Sequence, residues 1–149
     1  MQVAVAIGMG LASILFIKKT IDLHSIELIN NETNTTHPDI PDNISIYDIN
    51  GPMFFGAAQN ALKTLLAINE NTNIVILNMK NVPMLDMTGI ITLESIVENF
   101  KSKNKKLVFC GLNERILKKL EKAHFHFDGM TLKTFDNLHD SINYSKSVI

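Results

Sequence analysis

Seventeen residues without a charge, MQVAVAIGMGLASILFI, open the chain, and Lys18-Lys19 come directly after them. Apolar residues occupy every face of a helix drawn through this run, as in a buried or membrane helix rather than an amphipathic one. A spanning helix needs about 20 apolar residues, with a lower limit near 17. Residues 1–20 therefore read as the end of a transmembrane helix, and Lys18 and Lys19 would place the downstream chain on the cytoplasmic side of a cell membrane. A secretory signal would carry its positive charge ahead of the apolar run, and a helix packed against the core of a domain this small would keep a polar outer face. Residues 21–43 read as a tether: an irregular stretch to Ile29, then the polar NNETNTTHPDIPDN, with two prolines and no periodicity.

From Ile44 to Ile149 the pattern becomes that of one compact domain. ISIYDIN alternates as a strand, Asn50-Gly51 supplies a hairpin turn, and Pro52 to Phe55 predicts a short return strand. Ala57 to Ile68 predicts a helix. Asn73 to Met79 is apolar without alternation, which predicts a strand buried on both faces. Ile90, Leu93, Ile96, Val97 and Phe100 repeat at helical spacing. Leu107 to Cys110 predicts a further strand, and Ile116, Leu117, Leu120 and Ala123 line a second helix. A strand near Met130 to Phe135 and a helix after Asp136 complete the series. The expected fold is α/β, a mixed sheet of about five strands with helices packed on it and one antiparallel pair from the hairpin.

Composition changes this picture little. The 149 residues are 46% hydrophobic and 19% charged, and 14 basic against 15 acidic residues give a net charge of −1. No electrostatic footprint for nucleic acid is present. The single Cys110 allows no internal disulfide, suits a reducing compartment, and lies in an apolar strand as a core residue.

The candidate chemistry gathers at VPMLDMTGI, residues 82–90, where a buried strand gives way to a helix. Asp86 or Thr88 can cap that helix, and Gly89 allows close backbone packing. A helix N-terminus at the carboxyl end of a strand is also where an anion or nucleotide binds in open α/β sheets. Neither phosphate-loop nor dinucleotide glycine patterns occur, no nucleophile has a sequence-local base, and His124-Phe-His126 lacks the further ligands of a metal site. No catalytic residue, metal or cofactor is expected.

The order of these features resembles the C-terminal part of a SulP-family (sulfate permease-like) anion transporter, its last transmembrane helix followed by a STAS domain. The residues that carry the resemblance are Gly51-Pro52-Met53-Phe54-Phe55-Gly56 and Asp86-Met87-Thr88-Gly89, within IYDINGPMFFGAA, NIVILNMKNVPMLDMTGI and KLVFCGLNERILKKLEKA. The resemblance implies a regulatory and structural role. The domain would contact its own membrane transport domain through Gly51, Pro52, Phe54, Phe55 and Gly56, support a homodimer, and leave anion binding to helices outside this chain. It also implies a rival. Free-standing STAS proteins, the anti-sigma-factor antagonists, are phosphorylated on a serine that comes directly after the loop aspartate. Here that position is Met87, which has no hydroxyl, and Thr88 keeps one a residue later. Weak nucleotide binding or a regulatory protein partner at Asp86 to Gly89 is a third expectation from the family.

Overall fold

The computed structural model describes residues 2–22, 26–29, 40–53, 63–65, 67–68, 71–125, 127, 129 and 131–149. Helix α1 (Gln2–Asp22) leads to strands β1 (Ile26–Ile29), β2 (Ile44–Asn50) and β3 (Ile74–Asn81), then α2 (Met87–Ser102), β4 (Lys106–Cys110), α3 (Glu114–Lys122), β5 (Leu132–Phe135) and α4 (Leu138–Ser147). The strands form one sheet in the order β1-β2-β3-β4-β5. β1 is antiparallel to β2, and the remaining pairs are parallel.

A parallel sheet in sequential order, with right-handed crossovers, places successive connections on one face. Ile90, Leu93, Ile96 and Phe100 of α2 and Ile116 and Leu120 of α3 accordingly share a core with Tyr47, Val75, Leu77, Leu107 and Phe109. Residues 63–65 are helical, and Leu65 joins the same core. The chain then crosses to the second face, where Ile142 of α4 covers Ile44, Ile46, Ile74, Ile76, Val108 and Cys110. β3 is apolar throughout its first half because Val75 and Leu77 point to one core and Ile74 and Ile76 to the other.

The expected hairpin is corrected. β2 has its antiparallel partner upstream, in the stretch read as tether, with Ile26 opposite Ile49 and Ile29 opposite Ile46. Past Asn50 the chain does not turn back. Gly51 adopts φ +89°, and Met53 continues beside the segment leaving β3 in a parallel bridge to Leu85. Long-range pairing has overridden a local turn signal. Phe54, Phe55, Gly56 and most of the helix expected at 57–68 lie outside the described residues.

The N-terminal apolar run does form a helix, and every described side chain from Val3 to Lys19 is exposed. Among the described residues no helix is long and apolar enough to cross a membrane.

Candidate functional site

The loop between β3 and α2 is built mainly from main-chain contacts. Val82 is buried and donates its N–H to Met79 O at 3.0 Å, which turns the chain off the end of β3. Met53 N donates to Met84 O at 3.0 Å, and Leu85 is buried beside it. Asp86 is the N-cap of α2, in extended conformation, and its Oδ1 accepts from Gly89 N at 2.7 Å. Of the two capping candidates the carboxylate does the work, satisfying an N–H that has no partner within the helix. Thr88 is half-buried in the first turn, while Met87 is 68% exposed.

Gly89 is required by space rather than by dihedral angle. A Cβ there would lie 2.7 Å from the carbonyl oxygen of Met53 and 2.6 Å from Leu85 Cδ1. The glycine of the DMTG stretch thus lets the end of the GPM segment pass against α2. The structure thereby brings together two motifs that lie more than 30 residues apart. Gly51 and Pro52 are half-exposed above this contact, and Gly51 N donates to Asn81 O at 3.1 Å.

Two further residues brace the loop from α3. Asn113 caps α3 by accepting from Ile116 N at 2.9 Å, and its amide donates to Val82 O at 3.1 Å. Lys119 Nζ donates to Leu85 O at 2.8 Å. Asn113 is of a residue type that commonly starts a helix. Its second role, and that of Lys119, had no local signal, because both bonds join residues more than 30 positions apart.

On the opposite face of the same sheet end, Asp48, Asn78 and Cys110 occupy adjacent register positions on β2, β3 and β4. Asp48 Oδ1 accepts from Asn78 Nδ2 at 2.8 Å, and the Cys110 thiol donates to Asn78 Oδ1 at 3.7 Å. Burial pushes the Cys110 thiol up to about 11; a hydrogen bond with Ser141 works against that shift and the Asp48 charge adds to it. A cleft of about 470 Å³ opens nearby between Asn78, Lys80, Gly111, Asp136 and Asn137. Among the described residues no three His, Cys, Asp or Glu side chains come together as a metal-ligand set. His124 is exposed with φ +59° at the end of α3, and His126 lies outside the described residues.

Residues 35–141 match the STAS domain family. A candidate sulfate transporter of Bacillus subtilis (strain 168), YvdB, is 30% identical over 142 residues, covering 87% of this chain and 26% of that protein. The chain therefore spans about a quarter of the length of this curated relative. A sulfate transporter family protein from Wolinella succinogenes superposes with a TM-score of 0.66 at 27% identity, over 79% of this chain and 97% of that one. The SulP transporter STAS domain from Vibrio cholerae superposes with a TM-score of 0.60 at 28% identity, over 78% and 89%. With its one antiparallel strand, its parallel sheet and its aspartate-capped loop, and with most of its length matched, the chain belongs to the STAS domain family.

Proposed function

We propose that this chain is the regulatory and structural STAS portion of a SulP-type anion transporter, with α1 as the end of a membrane helix and the domain on the cytoplasmic side. The carrying observation is the contact between the two motifs. Gly89 receives Met53 O so closely that GPM and DMTG are packed directly against each other, and the relatives that share this fold at 27% and 28% identity are described as a sulfate transporter family protein and a SulP transporter STAS domain. In this reading the domain catalyses nothing. It docks on its own transport domain through the Gly51–Gly56 segment and supports a homodimer, while anion selectivity resides in that transport domain.

The loop chemistry favours this reading over a phosphorylation-controlled antagonist. The position after Asp86 holds Met87, which offers no oxygen to a kinase. Thr88 is half-buried in the first turn of α2, and a phosphate there would meet the Asp86 carboxylate at close range.

A chimera tests the proposal. Residues 1–149 replace the matching quarter of the Bacillus subtilis relative, and sulfate uptake is measured in cells. Uptake near the parent's level, lost on Gly89→Val, is the expected result. A chimera that is present in the membrane at normal level yet transports nothing would overturn it. A phosphate found on Thr88 after incubation with an anti-sigma kinase would favour the antagonist instead.

A further inference from the structure

β4 and β5 lie side by side in parallel, with Cys110 opposite Phe135, yet the chain leaves them in opposite directions. After β4 it runs through Gly111 and Leu112 to α3, whose Ile116 and Leu120 cover one face of the sheet. After β5 it runs through Asp136 and Asn137 to α4, whose Ile142 covers the other face. Neighbouring parallel strands whose connections part in this way leave a crevice beyond their carboxyl ends, and open α/β sheets bind small ligands there. The cleft of about 470 Å³ lies at this point, lined by both connections and by Asn78 and Lys80 of β3. Its volume falls within the ~300–1,000 Å³ of small-molecule sites.

The lining combines apolar surface with two uncompensated charges. Leu112 and Leu138 are half-buried, each at the margin of a different core. The amides are already committed: Asn78 Nδ2 donates to Asp48 Oδ1 at 2.8 Å, and Asn137 Nδ2 donates to Asp140 Oδ2 at 2.9 Å. The carboxylates of Asp48 and Asp140 are thereby taken up as well. Lys80 and Asp136 are not. Their side chains come from different strand ends and form no ion pair or hydrogen bond with each other or with any described residue. Gly111, at φ +69°, lies so close to Lys80 that a Cβ would meet Lys80 Cβ at 2.9 Å, which fixes where the lysine stem leaves the wall. At the start of α4, Asn137 Oδ1 accepts from Asp140 N, which leaves the N–H groups of Leu138 and His139 without a partner inside the helix.

We propose that this cleft binds a free α-amino acid with an apolar side chain, of the size of leucine. Its carboxylate is held by Lys80 and the first turn of α4, its ammonium by Asp136, and its side chain by Leu112 and Leu138. A purely anionic ligand would meet the Asp136 carboxylate and a purely cationic one the Lys80 ammonium, so the whole lining serves only a ligand that carries both charges. The inference does not depend on the transporter reading, because every group it uses belongs to the carboxyl end of the sheet.

The test follows the backbone amide shifts of the ¹⁵N-labelled full chain in detergent micelles as L-leucine is added to about 20 mM. Saturable shifts are expected at Gly111, Leu112 and Leu138, and none at Gly89 on the other face. Two analogues separate the charges: 3-methylbutylamine lacks the carboxylate of leucine and 4-methylpentanoate lacks its ammonium. Each should bind more than about tenfold more weakly, since each forfeits a charge-assisted contact. Lys80→Met should weaken leucine by a similar factor and leave 3-methylbutylamine unchanged, while Asp136→Asn should weaken leucine and leave 4-methylpentanoate unchanged. Both side chains are exposed and unpaired, and an unaltered circular dichroism spectrum checks that each variant is folded. No saturable shift up to about 20 mM leucine would overturn the inference. Either analogue binding as tightly as leucine would overturn the two-charge assignment, and leucine binding undiminished by both variants would remove the ligand from this cleft.

Discussion

The two faces of the sheet's carboxyl pole are held by different means. On the α2 side, a main-chain group takes part in every contact: Met53 N on Met84 O, Gly89 beneath Met53 O, and the Asp86 carboxylate on the Gly89 amide. On the α4 side, side chains meet side chains across three strands, from Asp48 to Asn78 to Cys110. Backbone contacts leave no slack, because a carbonyl cannot rotate away as a side chain can. The α2 face should therefore resist added volume, and the α4 face should respond mainly to changes in charge.

The sharpest way to break this contrast is Gly89→Val. Its Cβ would meet a fixed carbonyl oxygen at 2.7 Å, and a loss of about 3 kcal/mol or more is expected from overpacking at a backbone contact. Urea unfolding monitored by circular dichroism reads it, and a loss under about 1 kcal/mol would show that the α2 face can yield.

The α4 face should show itself in alkali. The Cys110 thiol rises in the folded protein from an ordinary 9.0 to about 11. Because the folded-state value is the higher one, its stabilisation is complete below about pH 9 and disappears as pH passes 11, a loss of about 2–3 kcal/mol. Unfolding curves across that window should be steeper in pH for the natural chain than for Cys110→Ala. Identical slopes would remove Cys110 from the account. Asp86→Ala comes next, at about 1 kcal/mol for a lost N-cap, with Asp86→Asn close to neutral. Met87→Ser should be the smallest, within about 0.5 kcal/mol, since the side chain is 68% exposed. A larger loss would mean that Met87 is packed in the folded chain.

The sequence was most legible where one element explains itself. β3 announced its two-sided burial by an unbroken apolar run, α2 by its spacing and its aspartate, and Cys110 by its apolar neighbours. β1 was hidden because four residues, Ile26–Ile29, stand in polar surroundings without a turn signal. Asn50-Gly51 suggested a hairpin because local turn chemistry is visible in a sequence, whereas the competing parallel contact of Met53 with Leu85 spans more than 30 residues. The loop's braces, Asn113 and Lys119, were invisible for the same reason. The packing of the two motifs depends on Gly89 lying against Met53 O, a contact with no local signal.

The antiparallel attachment of β1 also determines how force enters the domain. α1 connects at the Ile26 end, and β1 runs back along β2 through four facing pairs. A load transmitted from α1 along the strand axis pulls these pairs in shear, so they must give way together rather than peel apart in turn. The edge strand thus acts as a mechanical clamp between the apolar helix and the sheet, and small movements of the helix are delivered to β2 without first unfastening the domain.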